Sequence, residues 1–205
     1  MKINDKVIML DASKGGHCFL VKDDALALID TGLPFVRKKL FAELESLGVS
    51  PTDIKNILLT HHDSDHIGNL YALQQATGAI VWAHEKDIPY ITGEIPRPGK
   101  KKYIAKLLLK QRVGGIRPYD KTMRVGNIHI IETPGHTPGH VCMLHNKVLF
   151  TGDLVERKKG RIVAYPAGWN WNTQMLEESV TSLKQVDYEW LCMAHSKPCR
   201  QRIEP

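Results

Sequence analysis

Residues 60–68 concentrate side chains that bind metal ions. The segment reads Thr-His-His-Asp-Ser-Asp-His-Ile-Gly and follows the apolar run Ile57-Leu58-Leu59. Such a group of charges is unfavourable unless a cation neutralises it, and imidazole with carboxylate suits zinc, iron or manganese. The segment therefore predicts a metal site at the end of a strand, where irregular backbone aims several side chains at one point. Its candidate ligands are His61, Asp63, Asp65 and His66.

Three further candidates follow apolar strands or Gly/Pro turns later in the chain. His136 lies in Thr-Pro-Gly-His-Thr-Pro-Gly-His, Asp153 ends Leu-Phe-Thr-Gly-Asp, and His195 follows Leu-Cys-Met-Ala. One histidine in such a place is mostly a structural residue, whereas four sites in this order indicate a single metal centre. We expect these three residues to complete the ligand set.

In this order the motifs resemble those of the metallo-β-lactamase-fold superfamily, over nearly the whole chain. That family has an Asp after a strand, a Thr-His-x-His-x-Asp-His segment, a His, an Asp and a final His. Asp30, in Leu-Ile-Asp-Thr-Gly, corresponds to the first of these positions. The resemblance, strongest to the lactonase and glyoxalase-II-like branch, implies an α/β fold. This is an αββα sandwich of two mixed β-sheets flanked by helices, in a single domain over 1–205.

The resemblance also implies how two divalent metal ions are shared. The first would take His61, Asp63 and His136, the second Asp65, His66 and His195, and Asp153 would bridge them. Zinc is the expected metal. Asp63 stands where the family has its second histidine, and this harder ligand makes manganese or iron the alternatives. Asp30 is implied to orient the site, although an Asp before Gly32 also suits a turn on backbone grounds alone.

The expected activity is hydrolysis of a small ester, lactone or thioester by a metal-bridging hydroxide. Asp65 is the candidate catalytic residue, which would handle the proton as the intermediate collapses. Glu156 stands where the lactonase branch often has a tyrosine, which argues against a homoserine lactonase in particular. The expected partner is a small molecule, and an anionic one would suit the formal charge of +6.

Three other functions remain open from the residues. The +6 charge is typical of proteins that bind nucleic acid, so a phosphodiesterase or nuclease is the first alternative. Asp63 would also suit a diiron oxidoreductase, although no flavin-binding segment follows. The last alternative is a binding module with structural metals. The sequence does not name the substrate, the native metal or the oligomeric state.

Strands and helices that would position these residues alternate along the chain. Ile54–Thr60, Val148–Thr151 and Trp190–Ala194 are predicted strands that end at ligands. Ile67–Gln75 is a predicted helix directly after the first ligand segment. A basic amphipathic helix is predicted over Lys101–Gln111, within a basic stretch from Arg97 to Arg124. That stretch is interpreted either as a solvated face or as an anion-attracting lid.

The remaining composition places limits on the environment. No run of eighteen apolar residues suggests a membrane span, and the first residues lack the apolar core of a signal peptide, so a cytoplasmic location is expected. The four cysteines form no C-x-x-C pair and are interpreted as free or buried thiols. His84 and His140 are expected to be structural, and His62 is expected to lie next to the ligands or to be exposed.

Overall fold

This computed structural model describes residues 1–99, 101–109 and 113–203. The chain separates into two compact units, Met1–Pro118 (unit 1) and Tyr119–Pro205 (unit 2). The expectation of one domain over 1–205 stays a prediction. The helices are α1 (Arg37–Ser46), α2 (Ser64–Ile67), α3 (Leu70–Thr77), α4 (Ile88–Thr92), α5 (Lys101–Leu108) and α6 (Thr173–Leu183).

The strands are short and mostly aliphatic. In unit 1 they are β1 (Val7–Met9), β2 (Phe19–Val21), β3 (Leu26–Ile29), β4 (Ile54–Leu58), β5 (Ile80–Ala83) and β6 (Ile116–Pro118). In unit 2 they are β7 (Arg124–Val125), β8 (Ile128–Glu132), β9 (Val141–His145), β10 (Val148–Phe150), β11 (Val155–Lys158), β12 (Arg161–Ala164) and β13 (Trp190–Cys192).

Unit 1 is built on a mixed sheet in the order β1-β2-β3-β4-β5-β6. Pairing is antiparallel from β1 to β3 and parallel from β3 to β6. The carboxyl ends of parallel strands meet at one edge of a sheet. Asp30 follows β3 there and His61 comes shortly after β4, so both belong to that edge. The core beneath includes Leu28, Leu40 and Ile57, all fully buried.

Unit 2 contains a second mixed sheet in the order β13-β10-β9-β8-β7 and the separate hairpin β11-β12. Strands β10 and β13 are parallel, and β8 runs in the same direction because two antiparallel pairings relate it to β10. The residues that follow these strands therefore share one edge, and they include His136, Asp153 and His195. Leu149, Leu176 and Leu191 are fully buried in the core of this unit.

Helix α6 shows how local sequence fixes an element of this unit. Its N-cap Asn172 accepts a hydrogen bond from the Met175 backbone N–H at 3.0 Å, which satisfies one of the unpaired donors of the first turn. Leu176 and Leu183, seven positions apart, are buried on the same face. Asn172 therefore marks the start of this helix.

The helix expected over Ile67–Gln75 is wrong in its bounds. A helix begins earlier, at Ser64, and a second one begins at Leu70. Asn69 separates them, because its side-chain amide donates to the backbone oxygens of Thr31 and Leu33 instead of facing solvent. Asp65 and His66 therefore lie on a helical turn and not in the preceding loop.

The basic stretch is described only in part. Lys100, Lys110, Gln111 and Arg112 lie outside the described residues. Lys102 and Lys106 of α5 are exposed, whereas Arg97 and Lys101 are buried. Among the described residues no helix is long and apolar enough to cross a membrane. The cytoplasmic location stays a prediction.

Candidate metal centre

The loop after β4 and helix α2 bring four predicted ligands together in unit 1. His61 Nε2 lies 3.7 Å from Asp63 Oδ2, and His66 Nε2 lies 3.7 Å from Asp65 Oδ2. His61 and His66 are buried, and their ring centroids are 3.9 Å apart. Each imidazole therefore has a carboxylate beside the ring nitrogen that faces away from its own backbone.

A chain of hydrogen bonds fixes the tautomers of these two histidines. The Thr60 hydroxyl donates its single proton to Asp30 Oδ2 at 2.7 Å. Thr60 Oγ1 can then only accept from His61 Nδ1, 3.0 Å away. His66 Nδ1 lies 2.8 Å from Asp30 Oδ2, which as a carboxylate also accepts. Both rings are thus protonated at Nδ1 and present the lone pair of Nε2, the form in which histidine binds metals.

Asp30 is held in an unusual backbone conformation at the centre of this chain. Its φ is +56°, in the left-handed region that residues other than glycine rarely adopt. Its Oδ1 accepts from the Thr60 backbone N–H at 2.8 Å, so both carboxylate oxygens are engaged. The predicted role as an orienting residue agrees with these contacts, and the alternative of a simple turn residue does not account for them.

Unit 2 brings the other three predicted ligands together. His136 Nε2 lies 3.5 Å from Asp153 Oδ2, and His195 Nε2 lies 3.1 Å from Asp153 Oδ1. Asp153 therefore stands between the two imidazoles with one oxygen toward each. The Tyr165 ring packs against both histidines, with centroid distances of 5.0 Å to His136 and 5.7 Å to His195.

Two residues of unit 2 position predicted ligands, Asn170, which was not identified from the sequence, and His140. Asn170 Oδ1 lies 3.1 Å from His136 Nδ1, while its amide nitrogen donates to the Tyr165 backbone oxygen. The oxygen of Asn170 must then accept from His136 Nδ1, which leaves Nε2 with its lone pair. His140 Nε2 accepts from the Asp153 backbone N–H at 3.3 Å, and its Nδ1 lies 2.9 Å from Thr133 Oγ1. The expected structural role of His140 thus consists in placing a predicted ligand.

The donor set fits divalent metal ions. Ligands at about 2.1 Å from a tetrahedral ion stand ~3.4 Å from one another. The four nitrogen–oxygen distances within the two units, 3.7, 3.7, 3.5 and 3.1 Å, lie around this value. Each distance joins an imidazole Nε2 to a carboxylate oxygen, and for three of the imidazoles Nδ1 has an oxygen neighbour. The residues thus have the chemistry and the spacing of metal ligands.

Cations from the segment before and at the start of α5 contact the ligand loop. Lys101 Nζ lies 2.5 Å from Asp63 Oδ2. Arg97 donates to the His62 backbone oxygen from Nε at 3.0 Å and from Nη2 at 2.7 Å. Burial lowers the pKa of this guanidinium, and the charges of Asp63 and Asp87 act in the opposite sense.

The His62 ring lies beside the predicted ligand Asp63, with Nε2 at 3.7 Å from Asp63 Oδ1. The same ring stacks on Tyr90 at a centroid distance of 4.5 Å, and its Nδ1 lies 2.9 Å from Asp87 Oδ2. The expected position of His62 next to the ligands agrees with these contacts, and the alternative of an exposed residue is wrong because the ring is buried. His84 Nδ1 accepts from the Lys86 backbone N–H at 3.1 Å, so one of its ring nitrogens is used to shape a turn.

The cysteines lie in apolar surroundings, as expected from the sequence. Cys18, Cys142 and Cys192 are buried, Cys199 is half-buried, and all four are free thiols. Burial raises the pKa of Cys142 to about 12 and those of Cys18 and Cys192 well above the usual range. Neutral thiols are poor metal ligands, so histidine and aspartate remain the candidate ligands.

A family profile described as metallo-beta-lactamase superfamily matches residues 14–195. The chain belongs to the metallo-β-lactamase superfamily. Members of this superfamily bind divalent metals, and the matched region contains all seven predicted ligands.

Two relatives from this superfamily are similar in sequence. The chain is 29% identical over 194 residues to the probable metallo-hydrolase YybB of Bacillus subtilis, covering 88% of this chain and 80% of the relative. It is 28% identical over 145 residues to the hydroxyacylglutathione hydrolase GloC of Haemophilus influenzae, covering 68% of this chain and 66% of the relative.

A solved structure supports the fold. The protein TTHA1623, in a di-iron-bound form, matches with a TM-score of 0.72 at 25% identity, covering 94% of this chain and 93% of that chain. The expected fold class, α/β with two mixed sheets and flanking helices, is confirmed.

Proposed function

We propose that this superfamily member is a dinuclear metal-dependent hydrolase of small esters, lactones or thioesters. The proposed site takes ligands from both halves of the chain. His61, Asp63 and His136 would hold one ion, Asp65, His66 and His195 the other, and Asp153 would be shared by both, as the family motifs imply. Zinc is the first candidate for both positions. Iron and manganese are the alternatives, which the carboxylate of Asp63 and the di-iron form of TTHA1623 favour.

One observation carries the proposal. Each of the four histidines directs Nε2 toward a carboxylate oxygen at 3.1–3.7 Å. For His61, His66 and His136 the oxygen beside Nδ1 determines which nitrogen is the donor. Such orientation of ligand imidazoles by neighbouring oxygens is typical of metal centres. A set of purely structural histidines gives no reason for this shared arrangement.

The relatives support the substrate class. GloC is described as a hydroxyacylglutathione hydrolase, an enzyme that cleaves a thioester, and its similarity covers 68% of this chain. YybB is described as a probable metallo-hydrolase. The carbonyl of a thioester, ester or lactone presents the same electrophilic carbon, which makes the three substrate types one chemical class.

The residues of the chain have separable tasks in this reaction. When bound, the metals would supply a water of lowered pKa and polarise the substrate carbonyl. The orientation of the ligand imidazoles is fixed by contacts with Asp30, Thr60 and Asn170. The side chain of Asp65 is 25% exposed, more than those of His66 and Asp153. Asp65 therefore has access to exchange a proton with the leaving group.

The test combines metal analysis with a substrate panel. We expect elemental analysis of the purified chain to give about two metal ions per chain, the number of ions in a site of this type. Hydrolysis of a phenyl ester, a γ-lactone or an acyl-glutathione thioester should be lost on chelation and restored by metal. Asp65→Asn should lower kcat more than it lowers metal content. One ion or none per chain, or activity that survives chelation, would refute the proposal.

Phosphodiester hydrolysis is the second candidate, because the chain has a formal charge of +6 and exposes Lys102 and Lys106 on α5. A bis-aryl phosphodiester belongs in the same panel. Turnover of that compound without turnover of any carbonyl substrate would replace the first assignment by the second.

A further inference from the structure

Lys101 and Asp63 form a buried pair of opposite charges in unit 1. Nζ of Lys101 lies 2.5 Å from Asp63 Oδ2, and the two side chains are 11% and 12% exposed. The other lysines of α5, Lys102 and Lys106, are exposed. One charge of this basic helix is therefore directed inward, onto a predicted metal ligand.

The pair touches the proposed first metal position directly. The oxygen contacted by Lys101, Asp63 Oδ2, is also the one that lies 3.7 Å from His61 Nε2. A carboxylate oxygen has two lone pairs, so Oδ2 has the capacity to accept from Lys101 and to bind a metal ion. The ammonium group thus stands next to the place that the ion would take.

Arg97 gives this arrangement a second attachment point. Its Nε and Nη2 both donate hydrogen bonds to the backbone oxygen of His62, the residue immediately before Asp63. Asp87, fully buried, accepts from the His62 backbone N–H at 3.0 Å. The backbone before Asp63 and the carboxylate itself are therefore both held by charged side chains from residues 87–101.

We propose that Lys101 is the counter-charge of Asp63, a positioning residue that sets the metal affinity of the first position. This inference rests on the proposed function. A carboxylate in this place brings a negative charge that an imidazole would not, and a buried charge without a partner is strongly unfavourable. Lys101 offsets that charge and fixes the direction of Oδ2, so the carboxylate and the lysine form a functional unit.

The proposal predicts coupling between the two positions. In Asp63→His the ammonium faces a neutral ring and a metal ion, and the unbalanced positive charge opposes metal binding. In Asp63→His/Lys101→Met the formal charge of the original pair is restored. Asp63→His should therefore raise the zinc dissociation constant in both backgrounds by different factors. The factor should be at least about tenfold larger with Lys101 than with Met at position 101, which is the interaction energy expected for charges a few ångströms apart in a protein.

The experiment measures zinc dissociation constants by chelator competition for the wild type, both single variants and the double variant. Melting temperatures of the chelator-treated proteins give a second readout. There, Lys101→Met should lower Tm in the presence of Asp63 and not in the Asp63→His background. Lys101→Arg, which keeps the charge, should resemble the wild type. Lys102→Met is the matched control, and its effect should simply add to that of Asp63→His.

The outcomes separate this inference from the proposed function. If Asp63→His changes the zinc dissociation constant by the same factor, to within about twofold, with Lys101 and with Met at position 101, the counter-charge role is wrong. Unchanged metal constants in Lys101→Met with a raised KM for an anionic ester would also overturn it, and would make Lys101 a substrate-binding residue. If no variant and no wild-type protein binds zinc, iron or manganese, the proposed function itself fails, and this inference with it.

Discussion

Asp30 Oδ2 lies 2.8 Å from His66 Nδ1, on a residue whose backbone has a φ of +56°. The same oxygen accepts the Thr60 hydroxyl proton at 2.7 Å, and through it the tautomer of His61 is fixed as well. A strained backbone at a functional site persists when its surroundings hold it in place. Here the three hydrogen-bonding contacts of the Asp30 carboxylate, two to Thr60 and one to His66, do so.

Asp30→Ala should weaken metal binding by about 10–100-fold, the usual effect of losing the partner of a ligand histidine. The physical reason is that His66 loses the acceptor that keeps its proton on Nδ1 and its ring in place. Chelator competition monitored by metal content measures this directly. Activity should fall in parallel with occupancy and recover at high metal concentration.

Asp30→Asn is the informative control. Asparagine tolerates the left-handed backbone region and keeps one oxygen that can accept from His66 Nδ1, but its amide nitrogen then replaces the oxygen that accepts from the Thr60 backbone N–H. Its loss should therefore lie between that of Asp30→Ala and the wild type. Wild-type metal affinity in Asp30→Ala would show that Asp30 serves the turn before Gly32 alone.

The corresponding prediction for unit 2 concerns Asn170, the residue beside the Nδ1 of His136. Asn170→Ala removes the acceptor beside His136 Nδ1 and should lower metal affinity about tenfold, whereas Asn170→Asp keeps an acceptor and should retain it. Asn172→Ala is the neighbouring control. It removes the N-cap of α6 and should lower the free energy of unfolding by about 1 kcal/mol without changing metal affinity. Equal metal loss in both alanine variants would mean that local stability, and not ligand orientation, is at work.

The predicted ligands could be identified from the sequence because each follows a strand or a sharp turn. The types and the order of the residues at these strand ends identify the ligands, and the same motifs indicate the fold class. Asn170 carries no such signal, and His140, which does follow a Gly/Pro turn, was expected to be structural without its contacts being identified. Asn170 is 34 positions from His136, and nothing in the local sequence distinguishes it from an ordinary loop asparagine. Their roles depend on tertiary contacts.

The hairpin of β11 and β12 was missed for a different reason. Its strands carry charged residues such as Glu156 and Arg157, and its two-residue turn is Lys159-Gly160. Both turn residues have positive φ, +49° and +83°. Asn-Gly or Asp-Gly is the usual signal for such a turn, and lysine gives none. The inward direction of Lys101 was equally hidden, because the surrounding lysines predict a solvated face.

Gly135, directly before His136, should not tolerate a side chain. Its φ is +141°, and a Cβ there would lie 2.3 Å from the Leu176 backbone nitrogen in α6. Gly135→Ala therefore forces the loop away from the helix and should lower the free energy of unfolding by more than about 2 kcal/mol, beyond the usual penalty of left-handed backbone. Denaturant titration measures the loss, and metal content should fall because His136 moves.

Gly160→Ala is the matched control for this prediction. Its φ of +83° is also positive, but among the described residues no atom other than those of its chain neighbours lies within 4 Å of the added Cβ. Its loss should be limited to about 1–2 kcal/mol, with metal content unchanged. Equal losses at the two positions would show that the backbone angle dominates and that the approach of α6 to Gly135 is looser than 2.3 Å implies.

The burial of the cysteines predicts how fast each thiol reacts with a disulfide reagent in the native protein. Burial keeps the thiols of Cys18, Cys142 and Cys192 protonated at neutral pH by raising each pKa, and the thiolate is the reactive form. Cys199 is half-buried. A disulfide reagent such as DTNB should therefore label Cys199 first in the native protein and all four cysteines after unfolding. Cys199→Ser should remove the fast phase.

Because His and Asp bind the metals in the proposed site, chelation should release no further thiol. A rise in the number of fast-reacting thiols on chelation would assign a cysteine to the metal centre.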